Sequence, residues 1–260
     1  MGVAEFRQHG RVIGALLMRE MTTRFGREGI GFLWLVGEPL LFCVGVIGLW
    51  SVVKPTFASE HGLRLAPFVM TGYMCLILMR HLIGLLTPAV QSNVGLLYHR
   101  SVTPAHILGT RILLEVAGGT LSFAILYAVL ALIQQVEPPE NYLLLYAGWG
   151  LIAFCATGLG LIMTGLVMRY EIIERVVGLV SYLLMPVSGA FFMVAWLPPA
   201  AQKVMLYIPF VHGTEAIRGA IFGEFVETHY DFRYALFVGA IMNIVGLLAV
   251  YSSLDRIEVE

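Results

Sequence analysis

Five stretches of this chain, roughly residues 32–53, 66–87, 111–133, 142–168 and 232–253, stay apolar for long enough to cross a bilayer. An α-helix needs about 20 such residues to traverse ~30 Å of hydrocarbon, so each stretch predicts a membrane span. A sixth span is predicted near 176–197, after which the pattern breaks. Pro198-Pro199, a semi-apolar segment to Tyr207, Pro209 and another semi-apolar segment to Gly223 follow. Prolines so placed preclude one continuous helix, and each piece is too short to cross alone. Two half-helices that enter and leave one leaflet, a re-entrant hairpin over 198–223, fit the pattern, since irregular backbone survives at that depth only when protein buries it. Ahead of the first span, Val3, Phe6, Ile13, Leu16, Leu17 and Met21 fall on one arc at 100° per residue. Arg7, Gln8, Arg11, Arg19 and Thr22 fall on the other. Residues 3–28 are therefore expected to form an interfacial helix, apolar side down. The expected fold is an all-α integral membrane protein of one domain, 1–260, with a six-helix bundle over 32–253.

Composition agrees with the pattern. Of 260 residues 58% are apolar and 13% charged, and the mean hydropathy of +0.83 exceeds what one soluble core can hide. A net charge of −1 gives no basic footprint for nucleic acid. Six crossings put both termini on one side, and basic residues choose the side. Arg7, Arg11, Arg19, Arg24, Arg27, Arg100, Arg111, Arg169, Arg175 and Arg256 collect on the terminal side; Lys54, Arg64, Lys203, Arg218 and Arg233 lie opposite. Both termini are then cytoplasmic. An apolar stretch at 12–18 runs straight into Arg19-Glu20, so the N-terminus is expected to stay uncleaved.

Several chemistries are unsupported by the residues. The two lysines, Lys54 and Lys203, sit in no GxxxxGK[ST] loop, so the chain carries no phosphate cradle for ATP. Histidine spacing offers no HExxH or paired metal ligands, and no GxSxG elbow occurs. Cys43, Cys75 and Cys155 lie in apolar runs and read as inert thiols. Neither inverted repeats nor a chain of intramembrane carboxylates favours a secondary transporter, and an intramembrane transferase would need clustered metal-binding groups. No metal or cofactor is expected in this chain.

The remaining polar positions each admit a structural and a functional reading. Glu20, inside the apolar arc, needs a basic partner, either Arg24 one turn on or a donor from another subunit. Trp34 suits an interfacial anchor as well as a pathway contact. Arg80 either snorkels to the interface or meets an anionic substrate. Residues 88–110 form a long connection between spans with a short helix from Asn93 to His99 that Pro104 is expected to end. Pro209, His212, Glu215 and Arg218 recur every third residue on one helix face. A Glu215–Arg218 pair pinning the hairpin is preferred there to substrate contact.

The order Arg19-Glu20, Arg24-Phe25-Gly26, Gly31, Leu33-Trp34, Glu38-Pro39, then Arg111 with Glu115, then Pro209, Val211, His212, Glu215 and Arg218 resembles the permeases of type-2 ABC exporters, within them the capsular-polysaccharide exporters of Gram-negative bacteria. Ile208 stands where that family usually has Asn, which bears on a local cap only. The resemblance implies a homodimer in the bacterial inner membrane, bound to two copies of a separate nucleotide-binding ATPase that holds ATP and Mg. It also implies a periplasmic adaptor, an outer-membrane exporter and a lipid-linked polysaccharide as cargo. On that reading 88–110 is the cytoplasmic coupling loop, with Asn93, Tyr98, His99, Arg100 and Pro104 facing the ATPase. Arg24, Arg27, Arg80 and Arg100 would draw in the anionic glycolipid, while Trp34, Trp50, Tyr73, Phe191, Phe192, Trp196 and Tyr207 line a path on which sugar rings slide. O-antigen, teichoic acid or small-molecule exporters of the same type are the alternative.

Overall fold

The computed structural model describes residues 3–25, 31–98, 101–170 and 172–254, with side chains inside α-helices described at 7–23 and from 33 onward. Helix α1 (Val3–Phe25) precedes α2 (Gly31–Val53), a short α3 (Phe57–His61), α4 (Leu65–Leu86) and a one-turn α5 (Val94–Leu97). Then come α6 (Pro104–Leu132), α7 (Tyr142–Arg169), α8 (Ile172–Val187), α9 (Pro199–Met205), α10 (Pro209–Phe222) and α11 (Phe232–Tyr251). Helices α2, α4, α6, α7 and α11 are long and apolar enough to span a membrane, at the five stretches the apolar pattern marks.

Burial sorts these five into two layers. About 70% of the most apolar window is covered in α4 and α7, against a third or less in α2, α6 and α11. The inner pair therefore touches protein on nearly every side: α4 packs on α7, α6 and α2, and α7 on α11 and α10. Glycine permits the closest of these approaches. A Cβ at Gly158 would lie 2.8 Å from Met242 Cβ, so α7 and α11 meet there through backbone. Helix α1 lies against α6 and α2 with Leu16 and Glu20 buried beneath it.

Two boundaries differ from expectation. The connection expected over 88–110 is shorter, because Pro104 opens a helix instead of closing one. Thr103 caps α6: its hydroxyl accepts the His106 N–H at 3.4 Å, and His106 Nδ1 accepts the Thr103 N–H at 3.1 Å. Proline needs no N–H at the first helical position, so this site suits it. The short helix expected from Asn93 to His99 is a 3₁₀ turn, Gln91–Asn93, running into α5.

The sixth span, expected over 176–197, is instead a 16-residue helix that ends at Val187. At 1.5 Å per residue it reaches about 24 Å, short of the hydrocarbon thickness. Its end has a tertiary cause. Gly189 adopts φ 77°, a left-handed conformation open to glycine, and Ser188, Gly189 and Ala190 turn into the core. There their segment meets Arg218 of α10. The chain continues through a 3₁₀ turn, Val194–Trp196, to α9 and α10, two short helices that fall within the stretch where a proline-broken pair is expected. Helix α10 is buried along nearly its whole length against α7, α11 and α4.

Candidate functional site

Aromatic side chains of α2, α4 and the segment after α8 pack in one row of ring contacts. On α2, Phe42 and Trp50 stand eight residues apart, about 80° around the helix, and so on neighbouring parts of one side. Across from them stand Tyr73 of α4 and Phe191, just beyond α8. Ring centroids are 6.2 Å apart for Trp50–Phe191, 5.2 Å for Tyr73–Phe191 and 6.1 Å for Phe42–Tyr73. Towards the α1 end of the bundle this row of rings borders, through Phe42, a cavity of about 470 Å³ between α2, α4 and α8, with Arg80, His81 and Tyr182 also on its walls.

The expected pathway residues thus divide. Trp50, Tyr73 and Phe191 belong to this row of rings, and Arg80 lines the cavity beyond it. Trp34 is 54% exposed at the start of α2. Trp196 packs elsewhere, 5.1 Å from Phe68 and 4.1 Å from His61. Phe192 is half-buried, and its carbonyl accepts from Arg218. Tyr207 is exposed on the turn between α9 and α10, its carbonyl accepting the Tyr234 hydroxyl. The side chain of Arg24 and residues Arg27, His99 and Arg100 lie outside the described residues. Phe42 and Tyr182 are not among the residues singled out from sequence; Phe42 lies one turn beyond Glu38, which the family pattern marks.

Polar side chains fasten α1 to the α4–α6 connection. Glu20 finds its partner in Arg111 of α6, which donates to its carboxylate at 3.4 Å and also to the Leu85 carbonyl at 2.6 Å and Ser92 Oγ at 3.2 Å. Asn93, expected to face a partner protein, is buried: Arg19 donates to its Oδ1 at 2.6 Å, and its amide donates to the Ala89 carbonyl. His106 Nδ1 accepts from Thr103 N–H, so its Nε2–H donates to His9 of α1 at 2.7 Å. His81 lies 3.4 Å from the buried Glu115. Tyr98, by contrast, is 81% exposed beside a hollow of about 200 Å³ that Pro104 also lines. Movement of the α4–α6 connection is therefore tied to α1, α4 and α6 together.

A second polar centre holds the far end. Arg218 is wholly buried; it donates to the carbonyls of Gly189 at 2.7 Å, Ala190 at 2.9 Å and Phe192, and stacks 4.3 Å from the Phe68 ring. Glu215, 3.8 Å away, accepts the N–H groups of Val194 and His229. His212 Nδ1 accepts the Asp231 N–H, so its Nε2–H donates to the Leu206 carbonyl at 2.9 Å and the ring is neutral. Pro209 begins α10 at its first position. Arg218, Glu215 and His212 bind loop backbone on both sides of α10. Among the described residues no cluster of metal-ligating side chains occurs.

Comparison with known proteins agrees with this architecture. Residues 11–222 match the ABC-2 type transporter family. The chain is similar to the capsule polysaccharide export inner-membrane protein BexB of Haemophilus influenzae, 37% identical over 93% of this chain and 90% of that protein. It is 39% identical to the capsule polysaccharide export inner-membrane protein CtrC of Neisseria meningitidis serogroup B, over 92% of this chain and 90% of CtrC. The polysialic acid transport protein KpsM of Escherichia coli is 24% identical over 94% of this chain and 93% of KpsM.

Proposed function

This chain belongs to the ABC-2 type transporter family, and from that premise we propose that it is the membrane-spanning subunit of an ATP-driven exporter. Its cargo is a lipid-linked capsular polysaccharide crossing the bacterial inner membrane. The observation that carries the reading is near full-length similarity to proteins named for capsule polysaccharide export. Energy is supplied by a separate ATPase subunit that holds ATP and Mg, consistent with the absence of a phosphate loop in this sequence.

Both termini are cytoplasmic in this reading, and the chain crosses six times. Helix α8 and the irregular segment to Leu197 together make the fifth crossing, and α9 and α10 form the periplasmic re-entrant hairpin. The protein works as a homodimer with two ATPase subunits, and a periplasmic adaptor and an outer-membrane exporter continue the route. Closure of the ATPase pair on ATP pushes the α4–α6 connection at Tyr98 and Pro104. The Arg19–Asn93 and Glu20–Arg111 contacts carry that displacement to α1 and the inner ends of α4 and α6. The row of aromatic rings faces the second copy, and Trp50, Phe191 and Phe42, backed by Tyr73, offer flat apolar surfaces to sugar rings. Loss of surface polymer in a strain deleted for this chain, restored by the intact chain and not by one truncated before α11, tests the reading. Undiminished polymer in the deletion strain refutes it.

A further inference from the structure

We propose that the cavity between α2, α4 and α8 binds the phosphate of an anionic amphiphile, with Arg80 as its principal ligand. The proposal rests on the export reading above and names the part of the lipid-linked substrate that this chain grips.

Arg80 stands about 9 Å before the end of α4 at Leu86. Among the described residues its guanidinium makes no hydrogen bond or ion pair; its Nε is buried without a partner, and its nearest interaction is the Tyr182 ring at 5.7 Å. The other two arginines with a buried Nε behave differently: Arg111 and Arg218 both donate through their terminal nitrogens to carbonyls and lie beside carboxylates. A guanidinium cannot shed its proton. At that depth an uncompensated cation is costly, and ionisable groups there serve a partner or a pathway. Glu38 lines the same cavity on α2, yet it forms no ion pair with Arg80 among the described residues.

The rest of the wall fits a phosphate bearing a fatty chain. His81 turns Nδ1 toward the Glu115 carboxylate at 3.4 Å and lines the cavity beside Arg80, where it adds a second N–H donor when both ring nitrogens carry a proton. Ser181 and Tyr182 add hydroxyl donors from α8. Guanidinium forks match phosphate oxygens in pairs. Pro39, Phe42, Ile77 and Val177 supply apolar wall, and Phe42 leads on to the row of aromatic rings through Tyr73. A cationic pole beside apolar side chains suits an amphiphile's head and the start of its tail. The phosphate could come from a lipid anchor or from free phosphate, and the experiment separates these sources.

The purified chain with its ATPase partner, in nanodiscs of neutral lipid, is titrated with lysophosphatidylglycerol, with a monoacylglycerol of the same chain length, and with inorganic phosphate. Native mass spectrometry counts bound molecules. The wild-type protein should prefer the anionic lysolipid at least about tenfold, the usual worth of a charge-assisted hydrogen bond. Arg80→Gln should abolish the preference, Arg80→Lys should restore part of it, and Glu38→Gln should strengthen it by removing a like charge. Competition by inorganic phosphate supports recognition of the anion alone, and its failure supports recognition of the lipid-borne form. An unchanged preference in Arg80→Gln, or a weaker one in Glu38→Gln, overturns the site. Surface polymer measured alongside keeps the two readings apart. Normal export with unaltered lysolipid selectivity in Arg80→Gln defeats only the site, whereas selective binding by a wild-type complex that exports nothing defeats only the transport reading.

Discussion

Replacing Arg218 by methionine removes a cation while keeping most of the buried apolar volume. Three carbonyls, those of Gly189, Ala190 and Phe192, then lose their donor, and Glu215 is left 3.8 Å from where its counter-charge stood. Charge-assisted hydrogen bonds contribute about 1.5 kcal/mol each at the low end, so three give roughly 4–5 kcal/mol. The usual cost of breaking a buried pair, about 3–5 kcal/mol, falls in the same range. For a chain of this size that corresponds to a melting temperature lower by about 8–20 °C. Tryptophan fluorescence of the detergent-solubilised protein during heating reads the change, with Trp196 close to the affected segment. In the double variant Arg218→Met/Glu215→Gln the stranded charge is gone, so the loss should fall short of the sum of the single losses by about 1 kcal/mol or more. A shift of Arg218→Met below about 3 °C, or strict additivity in the double variant, would refute the claim that Arg218 sets the end of α8.

Other perturbations probe other parts of the molecule. Asn93→Ala deletes the acceptor of Arg19, and a cost of about 1 kcal/mol should appear as faster hydrogen exchange in α1 together with weaker ATPase stimulation; unchanged exchange there would mean that α1 is held by other contacts. Tyr98→Ala, at an exposed site, should leave the melting temperature within error but lower ATP turnover in reconstituted vesicles, and unaltered turnover removes Tyr98 from the docking surface. In Gly148→Ala the new methyl would lie 2.9 Å from the Gly213 carbonyl oxygen and 3.0 Å from Ile217, costing about 1–3 kcal/mol. The neighbouring Gly150→Ala meets nothing within 4 Å and should stay within about 0.5 kcal/mol of wild type, so equal effects on thermal unfolding would contradict the α7–α10 packing.

Local pattern carried a good deal of this fold. The five long spans were legible because the bilayer requires an unbroken apolar run, and such a run is a property of consecutive residues. The arc of α1 was legible for a similar reason, since its face repeats every turn. The spacing of Glu215 and Arg218 was visible within α10, but the backbone they serve, at 188–194 and near His229, was not. Glu20 advertised a need for a cation; nothing nearby in the chain pointed to Arg111, 91 residues away.

The sequence alone therefore determined which segments are oily enough to enter a membrane, that the stretch from Pro198 to Pro209 is broken into short pieces, and which family the chain resembles. Tertiary structure decided how helices end and which side chains meet. Pro104 starts a helix because Thr103 and His106 cap it, and α8 stops at Val187 because a buried guanidinium gathers the carbonyls that follow. Hydrophobic transfer acts on each residue separately and so leaves its mark in order along the chain, whereas hydrogen bonds and ion pairs in an apolar interior depend on partners brought together only by folding.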